Sequence, residues 1–301
     1  MKVCILSART GWHTDELCRS LAVRGHAAVV LSYQGLVARL GARAGALSSD
    51  GSPLLDCDAV LARIIPDGSL EQIIYRVDAL HWIEERGIPV MNSPCAIERS
   101  VDKFYTSALL HEAGLPTPDT VVCETAASAM AAVREFGDAV IKPIFGSMGH
   151  GMVRVTDPDT AFRVTRSLEQ IRTVFYVQRT IDHGGRDIRV FVVGGRALGA
   201  IERAAADGDW RTNVARGGLA RPFELPAAWE QLAVRAASVV GADYAGVDLL
   251  PSRDGSVFVL EVNGIPGWQG LQQATGIDVA AAIVEQLEAV RRRLPAPPLA
   301  V

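Results

Sequence analysis

Three oxygen-bearing side chains stand where hydrophobic strands do not ordinarily carry them. Asp248 is set inside the apolar run Ala245 to Leu250, and Glu261 and Asn263 close a second apolar run, Val257 to Val262. Between the runs, Ser252 to Ser256 reads SRDGS, and its Asp-Gly pair is the turn chemistry that folds two strands into an antiparallel hairpin. Side chains alternate along a strand, so Glu261 and Asn263 share one face while Val262 turns away; pairing across the hairpin brings Asp248 to that face. Two carboxylates and an amide oxygen are hard ligands that suit Mg²⁺ or Mn²⁺, ions that keep waters and accept phosphate oxygens. A single strand Asp reads equally well as a hydrogen-bonded structural residue, so the metal reading calls for a phosphate site elsewhere.

The stretch AVIKPIFGSMGHGMVRV, from Ala139 to Val155, offers one. Lys142 ends a strand-like run and leads into a loop bearing Gly146, Gly149 and Gly151. Glycines let backbone N–H groups approach phosphate oxygens, and a lysine at the loop mouth neutralises them. A plain hairpin tip is the alternative. The loop continues into another strand rather than into G-K-[ST] and a helix, so it is not a Walker P-loop. Farther on, Asp187, Arg189, Glu202 and Arg203 punctuate two apolar strands joined at Gly194-Gly195, which suggests a lined cleft. Arg211, Asn213 and Arg216 follow on a glycine-rich loop suited to gripping anions. Lys103, in the first turn of a helix, reads on its own as a solvated surface charge.

The elements that must position these groups alternate in type. Strands at Val3 to Ser7, Ala27 to Leu31, Asp58 to Arg63 and Ile88 to Met91 enclose helices at Thr14 to Arg24 and about Ser69 to Arg86, a β-α-β order with a parallel sheet. The first turn lacks G-x-G-x-x-G and no acid follows for a ribose, which disfavours a dinucleotide-binding domain. Helices are expected over Ser100 to Glu112, Thr125 to Phe136, Thr160 to Gln170, Ala227 to Val240 and Ile277 to Arg292. The chain has 301 residues, 49% hydrophobic and 21% charged, with a formal net charge of −4 and scattered arginines, giving no electrostatic footprint for nucleic acid. No apolar stretch approaches the roughly eighteen residues of a membrane span, and the N-terminus does not read as a signal peptide, so a soluble cytoplasmic protein is expected. Five cysteines without a C-x-x-C pair read as buried thiols, and six histidines show no ligand spacing.

Taken in order, two lysines, a glycine-rich β-hairpin and an Asp…Glu-x-Asn triplet resemble the ATP-grasp ligases, and among them the RimK-type α-L-glutamate ligases. The resemblance spans residues 1–290 and is densest in DIRVFVVGGRALGAIERAAADGDWRTNVARGG, AGVDLL and LEVNGIPGWQGLQQATGIDVA. It implies an ATP-grasp fold, α/β and α+β in character. An N-terminal parallel α/β domain would cover 1–92, a central lid domain with the glycine hairpin 93–178, a C-terminal antiparallel-sheet domain 179–293, and a frayed tail 294–301. ATP would lie between the last two domains. By the same resemblance Lys103, Lys142, Gly146, Ser147, Gly149 and Gly151 meet phosphates, the backbone near Gln178 and Arg179 meets adenine, and Asp187 holds ribose. Arg179 stands where family members often carry an acidic or amide residue. Arg211, Thr212 and Asn213 would border the triphosphate, and Asp248, Glu261 and Asn263 would ligate two Mg²⁺ or Mn²⁺.

The implied reaction phosphorylates a carboxylate with ATP and lets an amine, that of L-glutamate, displace phosphate. Lys142, Arg203 and Arg216 are the catalytic candidates, although both arginines can also be structural ion-pair members, with Glu202 a ready partner. IPGWQGLQ, from Ile265 to Gln272, replaces the SPGLEGIE of ribosomal-protein-modifying members and resembles members associated with tetrahydromethanopterin. A pterin coenzyme is therefore the expected acceptor, with Arg63 and Trp268 as contacts. A ribosomal-protein tail, an amino-group carrier protein or a small peptide are the alternatives, and a dimer or tetramer is expected. A nucleotide-binding regulator would have lost lysines or metal ligands; a metal-dependent hydrolase leaves the glycine hairpin unexplained.

Overall fold

The structure is a computed structural model that describes residues 1–41, 46–146, 149–205 and 219–293. Ser147, Arg211, Thr212, Asn213 and Arg216 lie outside the described residues. The chain opens with β1 (Lys2–Ser7), α1 (Trp12–Val23), β2 (Ala27–Ser32), β3 (Leu36–Arg39), β4 (Ala46–Ser49), β5 (Ser52–Pro53), β6 (Ala59–Ala62), α2 (Leu70–Glu85) and β7 (Val90–Met91). Strands β2-β1-β6-β7 form the expected parallel sheet, and β3-β4-β5 add a small antiparallel one that hydrophobic periodicity did not announce. The two central parallel strands, β1 and β6, read as near-continuous apolar runs because both faces are covered.

The expected helix from Ser100 is two helices, α3 (Pro94–Val101) and α4 (Lys103–Glu112). Ser93 caps α3, whose first residue is proline, and Asp102 caps α4 by accepting from the Tyr105 amide at 3.0 Å. That break makes Lys103 the first residue of α4. Next come β8 (Thr120–Cys123), α5 (Ala126–Phe136), β9 (Ala139–Lys142), β10 (Val153–Val155), α6 (Pro158–Gln170) and β11 (Phe175–Arg179), with a sheet ordered β10-β9-β11-β8. The last part contains β12 (Arg186–Val193), β13 (Arg196–Ala204), β14 (Leu219–Pro222), α7 (Ala227–Val240), β15 (Tyr244–Pro251), β16 (Val257–Asn263), α8 (Gln269–Thr275) and α9 (Val279–Arg293). Its antiparallel sheet runs β14-β13-β12-β15-β16.

The first and last sheets share one hydrophobic core. Val3, Ile5, Leu17 and Leu61 pack in it with Phe191, Tyr244, Trp268, Ile283 and Leu287. Asn92, fully buried just after β7, fastens the same junction: its amide nitrogen donates to the Tyr244 and Gly264 carbonyls at 2.7 and 2.5 Å, and its oxygen accepts from the Asp243 and Tyr244 amides. The middle sheet has its own core, built from residues such as Ala129, Phe136, Ile141, Phe175 and Val177. The five cysteines are free thiols; Cys4 and Cys57 are buried as expected, Cys18 and Cys123 are only half-buried, and Cys95 is exposed because it sits on the outer side of α3.

Candidate active site

The row of charges begins in strand pairing. Asp187 of β12 pairs with Arg203 of β13, Arg189 of β12 with Asp248 of β15, and Asp248 with Glu261 of β16. Residues 187 and 189 share a face, so three acids and two arginines form one row of charge across four strands, with Asp248 and Glu261 as neighbouring acids at one end. Arg203 Nε and Nη2 donate to the two Asp187 oxygens at 2.6 Å each, and Nη2 also reaches Asp248 Oδ2 at 2.8 Å. Arg189 grips Asp248 with Nε at 2.6 Å and Nη2 at 2.7 Å, and its Nη2 lies 3.6 Å from Glu261 Oε1. Gly246 leaves the room: a Cβ there would come 3.0 Å from Pro266 Cβ and 3.5 Å from Arg189 Cδ. Arg203 therefore pairs with Asp187 and Asp248, while its chain neighbour Glu202 faces away and pairs with Arg186 at 3.1 Å.

Electrostatics follow from this crowding. Burial would raise the Asp248 carboxyl, but the Arg189 and Arg203 guanidiniums override it and hold it at about 2. Burial and then the charge of Asp248 push Glu261 up, against the pull of Arg189, Lys103 and Arg203. Arg203 is buried and held protonated by its two acids. Asn263 Oδ1 accepts from the Ile265 amide at 2.9 Å and keeps a second lone pair. Among the described residues no group of three His, Cys, Asp or Glu side chains is assembled for a metal ion. The opposed carboxylates, with the Asn263 amide oxygen as third donor, still fit a hard divalent cation, since Glu261 remains partly accessible and short of positive charge.

Facing this sheet across a cavity of about 340 Å³ are the two lysines. Lys142, buried at the end of β9, donates to Gln178 Oε1 at 2.6 Å, and Gln178 Nε2 in turn reaches Thr120 Oγ1 and the Tyr176 hydroxyl. Ser107, one turn after Lys103 on α4, meets that hydroxyl at 2.8 Å. Burial draws the Lys142 ammonium down to about 8, with Glu261 opposing and Lys103 adding to the fall. Lys103 Nζ donates to the Ile144 and Gly146 carbonyls at 3.2 and 2.7 Å, and burial lowers it too, against Glu261 and Asp102. Gly146 and Gly149 line the same cavity, and Gly146, Gly149 and Gly151 all have positive φ.

Several expected contacts take another form. The Arg179 amide donates to Asp119 O at 2.8 Å and the Thr180 amide to Asp138 O at 3.0 Å, so both donors are used within the sheet. Ile181 lines the cavity, and its amide has no hydrogen bond among the described residues. The Arg179 side chain turns to Asp119 and lies over Phe136. Trp268 presents no open face to a pterin: it is 1% exposed, edge-on to His13 and Phe191, and covered by the Arg63 guanidinium at 4.8 Å. Arg63 is also buried, donating to the Tyr244 hydroxyl and the Pro266 carbonyl at 3.1 Å each. Burial and Arg63 push His13 down to about 4, so its neutral Nε2 accepts from the Trp268 amide at 3.1 Å. These two residues buttress the Gly264 to Gly267 turn from behind. Ser107, Tyr176 and Asp67 join the cavity wall without any local sequence signal.

Residues 1–97 match the RimK PreATP-grasp domain and residues 100–287 the RimK-like ATP-grasp domain. The tetrahydromethanopterin:α-L-glutamate ligase of Methanosarcina acetivorans is 39% identical over 78% of this chain and 81% of its own. A probable α-L-glutamate ligase of Trichodesmium erythraeum is 33% identical over 96% of each chain. Among solved structures, the ATP-grasp ligase PsnB complexed with minimal precursor, Mg and ADP superposes with a TM-score of 0.74 at 22% identity, covering 97% of this chain and 98% of that one. The RimK domain ATP-grasp protein of Sphaerobacter thermophilus gives 0.72 at 23% identity over 96% and 100%. Their common fold is the ATP-grasp fold.

Proposed function

Because the chain belongs to the RimK-like ATP-grasp family of ligases, we propose that it joins the amine of L-glutamate to an acceptor carboxylate at the expense of ATP. The observation that carries this reading is the convergence of Lys103, Lys142 and the Asp248–Glu261 pair on one cavity. The acceptor carboxylate takes the γ-phosphoryl group, the bond to the β–γ bridging oxygen breaks, and ADP and an acyl phosphate result. The α-ammonium gives one proton to solvent, the uncharged amine attacks the acyl carbon, the tetrahedral adduct collapses with loss of inorganic phosphate, and the nitrogen's extra proton also goes to solvent.

Lys142 exchanges its Gln178 partner for a phosphate oxygen, and Lys103 adds a second positive charge at the glycine loop. Mg²⁺ or Mn²⁺ held by Asp248, Glu261 and Asn263, two ions by expectation, would neutralise triphosphate charge. The Ile181 amide is the donor for the adenine edge, with Gln178 and Asp187 on the same cavity wall. Arg203 keeps Asp187 and Asp248 in place, and its proximity to both makes it a stabiliser of the acyl phosphate region. Ser147, Arg211 to Asn213 and Arg216 keep the phosphate and oxyanion roles expected from the sequence. Enclosing the cavity keeps water from the acyl phosphate.

The acceptor we favour is a tetrahydromethanopterin-type coenzyme, supported by the 39% identical Methanosarcina relative and by the IPGWQGLQ segment. The second reading is another carboxylate acceptor, since the Trichodesmium relative carries only the name of a probable α-L-glutamate ligase. A homo-oligomer working in the cytoplasm completes the proposal. ADP release with ATP, Mg²⁺ and L-glutamate, measured against a panel containing tetrahydromethanopterin, a ribosomal-protein tail and a carrier protein, decides it. A glutamyl mass increment on the pterin supports the favoured acceptor, and increments only on a protein transfer the reading to that acceptor. ADP release that never depends on glutamate and acceptor together overturns the ligase reading.

A further inference from the structure

The cavity wall contributed by the N-terminal part carries an acid that the reaction so far does not use. Asp67 lies on the loop between β6 and α2 and lines the cavity that Lys103, Lys142 and Glu261 also line. Of the other acids of that cavity, Asp187 and Asp248 are paired with Arg203 and Asp248 also with Arg189, while Glu261, 3.6 Å from Arg189, stands opposite Asp248 in the proposed metal site. Asp67 is exposed to the solvent of the cavity mouth and has no ion pair and no side-chain hydrogen bond among the described residues.

Its backbone is fixed rather than loose. Buried Arg76 donates from Nη1 to the Pro66 carbonyl at 2.7 Å and to the Asp67 carbonyl at 3.4 Å. On the other side, a Cβ at Gly68 would come 2.6 Å from Gln72 Oε1 and 2.9 Å from Arg76 Nη1, so only glycine lets the loop lie this close to α2. Gln72 is itself held in the capping box of Ser69. The loop leaves the carboxyl end of β6 next to β1, where the strand order β2-β1-β6-β7 reverses. Ligands of open parallel sheets bind outside such a point.

We propose that Asp67 receives the α-ammonium group of the incoming amino acid and gives the site its preference for an amino acid over a plain dicarboxylic acid. The proposal rests on the ligase reading and adds a specificity residue to it. A phosphate-binding cavity is cationic on the side of the lysines, and an ammonium group needs a carboxylate on a different wall. Asp67 is the carboxylate there without a competing partner. Discrimination then arises because an analogue lacking the ammonium gains nothing from Asp67 and still desolvates it.

The test is calorimetric titration of L-glutamate and of glutarate into the full chain, with Mg²⁺ and a non-hydrolysable ATP analogue present. Wild type should bind glutamate at least about tenfold more tightly than glutarate. Asp67→Asn should erase that preference, by weaker glutamate binding and equal or tighter glutarate binding, while leaving nucleotide binding unchanged, and Asp67→Glu should restore part of it. A preference that survives in Asp67→Asn overturns the assignment, as does a wild type without one, or a variant that loses nucleotide binding along with glutamate. The ligase reading is judged separately. Acceptor-dependent ADP release by an Asp67→Asn variant with an unchanged KM for glutamate leaves ligation standing and removes only Asp67.

Discussion

Asp248 and Glu261 stand directly opposite each other on β15 and β16, and the arginine that grips the first with two hydrogen bonds lies 3.6 Å from the second. Two acids so placed repel each other unless positive charge is supplied, and Arg189 and Arg203 supply it chiefly to Asp248. Glu261 is left as the group with the larger deficit. Glu261→Gln should therefore abolish glutamate-dependent ADP release, while circular dichroism and the melting temperature stay close to wild type. Wild-type turnover in that variant would sink the metal assignment.

Lys142 yields a pH prediction. An unfolded lysine holds its proton to 10.5, whereas burial lowers the folded value to about 8. Between those limits the unfolded chain binds the extra proton, so stability from this site rises with pH across the window and is at its lowest below pH 8. The penalty at neutral pH is about 3 kcal/mol. Lys142→Met should stabilise the ligand-free protein at pH 7 by about 1–2 kcal/mol, the stranded Gln178 oxygen offsetting the rest. Urea melts should show the advantage shrinking toward pH 10, and ADP release should fall by orders of magnitude at every pH.

Removing Arg203 leaves Asp187 and Asp248 buried with less compensation. Arg203→Met should cost roughly 3–5 kcal/mol by urea denaturation, because breaking one side of a buried ion pair strands the other. A cost below about 1 kcal/mol would mean that the two carboxylates find other partners.

Trp268 is a packing residue, and its variants should say so. Trp268→Ala should lose about 3–5 kcal/mol through the cavity it leaves. Trp268→Phe should lose far less, since the indole N–H has no hydrogen-bond partner among the described residues. Neither should alter the relative rates with different acceptors at a temperature where both are folded; a selective loss of pterin ligation in Trp268→Phe would restore the stacking role.

The opposition of Asp248 and Glu261 was legible because an Asp-Gly turn and side-chain alternation are local rules. The break at Asp102 was not, since Ser100 to Glu112 is uniformly helix-compatible and only the Asp102 cap, accepting from the Tyr105 amide, separates two helices. Arg203 illustrates a different limit. Its chain neighbour Glu202 is the obvious partner on paper, yet alternation sends the two to opposite faces and pairing across strands brings Asp187 instead. Asp67, Ser107 and Tyr176 line one cavity only because the β6–α2 loop, α4 and β11 close around it, which no window of sequence contains. Trp268 read as available to a ligand because the chain cannot reveal that Arg63, 205 positions earlier, lies on its face.

The four hydrogen bonds of Asn92, together with the core shared by β1, β12, α1 and α9, weld the first and last sheets into a single block. Hinge bending between them would have to tear a continuous apolar interior. The middle sheet has an interior of its own and faces that block across the cavity. The cavity therefore has one wall, bearing both the charge row and Asp67, that is built on a shared interior, and a second wall, bearing Lys142, that is built on another.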